Sequence, residues 1–280
     1  MKITKEHLKS WGASDDGYDF FLRRFPAGEA EYQEVLNAIA DADLPDYADW
    51  LMENAGPDEG AVIALESIAN CKHFFATGRI VIANGAAVTG RLRAGTGIEA
   101  GEGIKAGMVI KAGDGIEAGW RIGAGTVIEA GEGIKAGDGI EAGWGIKAGE
   151  GIKAGEGIKA GTGIKAGTGI KAGRVIEADT VIKAGDGIEA GWGIEAGTDI
   201  KAGCGIEAGE GIEAGTDIKA GDGFGIFAGL RLPLADWTLW AKVIAKAKPD
   251  NLVSGSWVEP EVVTDMDAAQ SMIKTQRVAI

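Results

Sequence analysis

Residues 128–158 read IEAGEGIKAGDGIEAGWGIKAGEGIKAGEGI. Isoleucine stands at 128, 134, 140, 146, 152 and 158, and Lys or Glu, Ala, Gly, a variable residue and Gly fill each interval. No face of an α-helix has a period of six, and each interior glycine would cost a helix roughly 1 kcal/mol relative to alanine. In an extended strand the Ile and the Ala two places later share one side, while the charge between them points the other way. Each hexad is therefore a short strand with Ile and Ala inward, and the G-x-G that follows is a turn, where glycine tolerates unusual backbone angles. A short unit repeated at a fixed period winds into a solenoid, because its apolar side is covered only by its neighbours.

Working outward, the aliphatic place is filled in every hexad from Leu92 to Ile218, and the phase extends back to Ile80 and Ala86 and forward to Phe224 and Leu230. The exceptions to the consensus set the coil length. Val109, Val127, Val181, Asp199 and Asp217 replace the glycine before Ile at spacings that are multiples of 18, and Thr126, Thr162, Thr180, Thr198 and Thr216 share one 18-residue register. A third register holds Lys111, Glu129, Lys147, Lys165, Lys183, Lys201 and Lys219. Three hexads per coil stack each set into a column. The expected fold is mainly β: a triangular parallel β-solenoid of 18-residue coils, with a small α-helical N-terminal domain and a C-terminal cap. The repeat from Ile80 to Leu230 predicts about eight coils and a rod roughly 40 Å long.

The flanks divide the chain into an acidic helical domain over 1–77, the solenoid over 78–230 and a cap over 231–280. Thr4 suits the cap of a first helix ending at Gly12, and Ser14 that of a second running to Phe25, before Pro26. A third helix is expected over Gly28–Ala42, with Tyr32, Val35, Leu36 and Ile39 on one face, and a fourth from Pro45. Ala61–Ile68 reads as a fifth, and the small helical domain so formed is expected to cover the first coil. Leu239–Lys248 fits either a last strand or a helix, and Thr264 would cap a final helix over Asp265–Lys274. These flanks are expected to plug both ends of the rod.

Of the 280 residues, 48 are glycine, aromatics are 6%, and the net charge is −14. Glycine lacks the period of three that collagen requires. The acidic balance disfavours direct binding to a phosphate backbone. No apolar run is long enough to span a membrane, and the first twenty residues lack the apolar core of a secretory signal. With Cys71 and Cys204 far apart, these features set the expectation of a cytoplasmic protein with free thiols. The only histidines are His7 and His73, both outside the repeat, and each reads as an ordinary surface or core residue. The coils thus offer no histidine base, no Cys/His metal spacing and no G-x-G that leads from a strand into a helix. No catalytic, cofactor or metal residue is expected.

The hexads resemble hexapeptide-repeat β-helices, and GRIVIANGAAVTGRLRAG at 78–95 resembles the coils of bactofilin-type triangular β-helices. Those hexapeptide helices place a small residue two before the aliphatic one, whereas here Ala stands two after it. Acyltransferases of that kind use a histidine as base, which these coils lack. Ile3-Thr4-Lys5-Glu6-His7-Leu8, Gly12-Ala13-Ser14 and Gly17-Tyr18-Asp19-Phe20-Phe21 resemble a short helical segment at the head of many phage and prophage proteins, with Ser14 where that segment usually has Cys. That resemblance implies a mobile-element origin and no particular activity.

What remains is binding. Trp120, Trp144 and Trp192 occupy turn positions and are candidate protein contacts. In the acidic head the candidates are Glu29, Glu31, Glu34, Asp41, Asp43, Asp46 and Asp49. The leading expectation is a non-enzymatic protein that inhibits or sequesters a host protein handling nucleic acid or anti-phage defence, in one version by acidic mimicry. The alternatives are a structural rod that self-associates as a homo-oligomer and, further behind, an ice-binding protein or an acyltransferase-like enzyme.

Overall fold

The computed structural model describes residues 1–260. Its body is a parallel β-solenoid whose coils lay one strand on each of three sheets of 11, 11 and 9 strands. In chain order within a coil, the first sheet begins with Val62–Leu65, the second with Ile68–Cys71 and the third with Phe74–Ala76. Through the repeat each strand pairs with the one 18 residues on: Ile116 with Ile134, Ile122 with Ile140, and Ile128 with Ile146. The core is this stack of Ile and Ala, nearly all of it below a tenth exposed. Each buried Ile contributes about 1.5–3 kcal/mol relative to an exposed one. The aromatic-poor composition is therefore no handicap, because two small aliphatic places per strand fill the narrow triangle.

The column reading holds in detail. Thr180 donates its hydroxyl to the Thr162 carbonyl at 2.6 Å, Thr198 to Thr180 at 2.8 Å, and Thr216 to Thr198 at 2.9 Å. Glycine use follows from the same stacking. A Cβ on Gly131 would collide with the backbone carbonyl of Gly113 one coil below, whereas a Cβ on Gly133 would only touch the Gly151 carbonyl at 3.4 Å. The glycine after Ala is thus held by backbone crowding, with Asp179 as the exception between 95 and 221, while the glycine before Ile is free to vary.

The rod is longer than the repeat predicts. Sheets of up to eleven strands, not eight, make it roughly 50 Å long. The extra coils come from sequence that has lost the glycine signature. Ala61–Ile68 is not a helix but contains the strand Val62–Leu65 and the start of Ile68–Cys71, paired in parallel with Arg79–Ile82 and Ala86–Val88. Solenoid therefore begins inside the stretch assigned to the helical domain. At the far end the hexad phase breaks: two extra residues in the turn after Ile218 put Ile226, not Phe224, in the inner place opposite Ile206. Phe224 and Leu230 are exposed. Residues 239–248 hold a strand, Lys242–Ile244, preceded by the single-turn helix Trp237–Trp240. Strands at 252–254 and 256–258 finish the first and second sheets. The helix expected over Asp265–Lys274 lies outside the described residues.

The head contains α1 (Lys5–Ser10), α2 (Asp15–Arg24), α3 (Tyr32–Asp41) and α4 (Pro45–Ala55). Thr4 and Ser14 cap α1 and α2 as their positions predict, accepting from the His7 and Gly17 amides. The third helix starts at Tyr32 because Glu29–Glu31 instead pairs antiparallel with Lys2–Thr4. The head does not sit over the end of the rod alone. It leans on the outer side of the third sheet, where Phe75 turns outward into the head's core. Gln33 on α3 closes the open edge of the terminal strand there. Its amide nitrogen donates to the Phe75 carbonyl at 2.7 Å and its oxygen accepts from the Thr77 amide at 3.0 Å, as a further strand would.

Candidate functional site

The three turn tryptophans belong to two edges of the rod, and both edges border the second sheet. Trp120 and Trp192 follow strands Ile116–Ala118 and Ile188–Ala190 of the first sheet and precede strands of the second. Trp144 follows Ile140–Ala142 of the second sheet and falls within the threonine column, its amide bonded to Thr126 and its carbonyl to Thr162. One face thus carries indoles along both margins. Trp120 is 60% exposed, Trp144 65% and Trp192 44%. Trp192 is less exposed because the Arg174 guanidinium stacks over its ring.

Between these margins the second sheet presents Lys105, Gly123, Glu141, Lys159, Glu177, Glu195 and Glu213. Some of these charges are satisfied locally: Arg121 pairs with Glu141 at 2.6 Å and Lys159 with Glu177 at 2.7 Å. Two hollows of about 450 and 730 Å³ lie along the sheet. The larger is walled by Trp192, Leu239 and Trp240, the last two exposed residues of the turn before the final strands. Trp240 escaped the sequence reading because it follows the repeat; the only signal was the aromatic-rich WTLW at 237–240. A further concavity, of about 1450 Å³, runs along the first sheet. Along its floor Lys135 pairs with Glu117 and Lys171 with Glu189, and Val62, Phe224 and Phe227 stand at its ends.

The acidic head is a different case. Five of its seven candidate residues have cationic partners within the chain. Glu29 pairs with Lys2, Glu31 with the N-terminal amine, Asp43 with Lys72 and His73, and Asp46 and Asp49 with Arg91 and Arg93. Glu34 and Asp41 alone remain on the exposed side of α3 with no ion pair among the described residues. Three of them, Asp43, Asp46 and Asp49, fasten the head to the rod. The Asp43 carboxyl is held below the usual range by hydrogen bonds from Lys72 at 2.5 Å and His73 at 2.9 Å. His73 is buried between that carboxylate and the Arg91 amide, which donates to its Nδ1 at 3.0 Å, so both ring nitrogens have structural partners. His7 stacks on Trp11. Among the described residues no cluster of His, Cys, Asp and Glu is arranged to hold a metal, and no helix is long and apolar enough to cross a membrane.

Fold and surface together define the chain as a parallel β-solenoid of about eleven coils with an N-terminal helical head and an aromatic-bordered face. Residues 1–55, the segment that ends with α4, match the family described as YdhT N-terminal domain. No curated protein and no solved structure matches the chain.

Proposed function

We propose that the chain is a non-enzymatic protein-binding rod whose contact surface is the second sheet between its tryptophan margins. The observation that carries this reading is that three largely exposed indoles, at sites the repeat fills with small or charged residues, all border one sheet. Large exposed aromatics flanked by polar residues are typical of interface anchors, and a handful of such side chains dominates binding energy. A regular rod of this kind offers a rigid surface that loses little entropy on association.

In the finer version of the reading, the protein derives from a mobile element and sequesters a host protein. The resemblance of residues 3–21 to phage and prophage heads supports it. Acidic mimicry forms no part of it, because most of the head's carboxylates are already paired. The test is capture from bacterial lysate by the full chain and by a W120A/W144A/W192A variant, followed by reconstitution with the purified captured protein. Binding that disappears in the triple variant, with the melting temperature little changed, supports the reading. Equal binding by both proteins overturns it.

A further inference from the structure

The third sheet carries a different surface, independent of the tryptophans. Its outward column runs Arg93, Lys111, Glu129 and then five consecutive lysines: Lys147, Lys165, Lys183, Lys201 and Lys219. Like charges directly opposite one another on neighbouring strands are destabilising. The rod relieves this only in part. Lys147 reaches back to Glu129, and Lys201 and Lys219 bond Asp199 and Asp217, each two places before its lysine. Lys165 and Lys183 have no ion pair among the described residues, and the outward places beside the column hold Gly145, Gly163 and Val181, so the floor is low.

The molecule itself shows what fits such a column. Helix α4 lies against the start of the same sheet and sets its acids on the same cations. Asp49 meets Arg93, and Glu53 reaches both Arg93 at 3.9 Å and Lys111 at 3.7 Å. The match is geometric as well as electrostatic. One helical turn advances about 5.4 Å and one coil about 4.8 Å, so a carboxylate on each turn meets a cation on each coil. Glu129 ends this intramolecular contact and separates the covered cations from the uncovered ones. We propose that the track from Lys147 to Lys219 docks an acidic α-helix of another protein, one that carries a carboxylate on each turn of a single face, as α4 does. A flexible polyanion is the poorer fit, since it must lose conformational freedom to line its charges along the track, whereas a helix holds its carboxylates already spaced.

The test uses the full chain and a labelled Ala/Glu helical peptide with one Glu per turn on one face. Binding is followed by fluorescence anisotropy at low and physiological salt. K165E/K183E is expected to weaken binding by about tenfold or more, and K165Q/K183Q by less. W120A/W192A should leave it unchanged, which separates this proposal from the reading of the second sheet. A composition-matched peptide with its acids spread around the helix should bind more weakly. Both lysine variants alter exposed groups, and unchanged circular dichroism establishes that they fold. The proposal is overturned by K165E/K183E binding as tightly as wild type, by a single-stranded oligonucleotide displacing the peptide at lower concentration than unlabelled peptide does, or by concentration-dependent self-association that the same variant abolishes.

Discussion

The guanidinium carbon of Arg174 lies 4.1 Å from the centre of the Trp192 ring, one coil above it in the same edge column. Stacking of this kind is worth about 0.5–1 kcal/mol at an exposed site. It also gives Trp192 a side-chain partner of a kind that neither Trp120 nor Trp144 has among the described residues. W192A should therefore lower stability by up to about 1 kcal/mol, whereas W120A and W144A should be near neutral in thermal melting and act on partner binding alone. Single-variant melts beside binding measurements check this, and equal destabilisation by all three would contradict it.

Gly131 and Gly133 flank the same turn and should behave oppositely. G131A pushes a methyl into the backbone of the coil below and should destabilise by about 1–3 kcal/mol or more, as overpacking does. G133A meets only ordinary contact and should be neutral, or stabilising by up to about 1 kcal/mol through the unfolded chain. Denaturant midpoints of the two variants measure the contrast.

Removing the Gln33 amide should leave the Phe75 carbonyl and Thr77 amide without partners at an open sheet edge. Q33A is expected to cost about 1–3 kcal/mol. It should also raise the propensity to form dimers or larger species by strand addition, read by sedimentation velocity.

Asp43 links the head to the rod through Lys72 and His73, and its carboxyl titrates below its usual range because of them. A carboxylate with a folded pKa below its unfolded value stabilises the fold at pH values above the unfolded range, and that contribution is lost as pH falls through the folded pKa. Thermal melts of wild type should thus decline on acidification below the ordinary carboxylate range. D43N should be weaker than wild type at neutral pH, with the gap closing in acid. Asn suits the comparison because residue 43 has a left-handed backbone (φ 58°), which Asn tolerates. A gap that stays constant with pH would refute the linkage.

The period of six and the 18-residue exceptions at Thr126, Thr162 and Val127 were enough to derive the coil, its inward Ile and Ala, and its outward charges, because a solenoid's contacts repeat at a fixed chain separation. The caps Thr4 and Ser14 were equally legible, since a helix start is a local event. The repeat signal failed at Val62–Cys71, which holds no glycine, and after Ile218, where two extra residues break the hexad phase. There the strands are held by pairing with the coil next to them rather than by their own pattern. Of the binding candidates, the tryptophans were visible as interruptions. That Trp120, Trp144 and Trp192 border one sheet depends on which side of the triangle each turn joins. Likewise, Asp46 and Asp49 look like free acid in the chain, and only the packing of α4 on Arg91 and Arg93, more than forty residues away, turns them into a fastening. Local period and capping determined the architecture. The joining of head to rod, and hence which charges remain available, was decided by long-range packing that no neighbouring residue encodes.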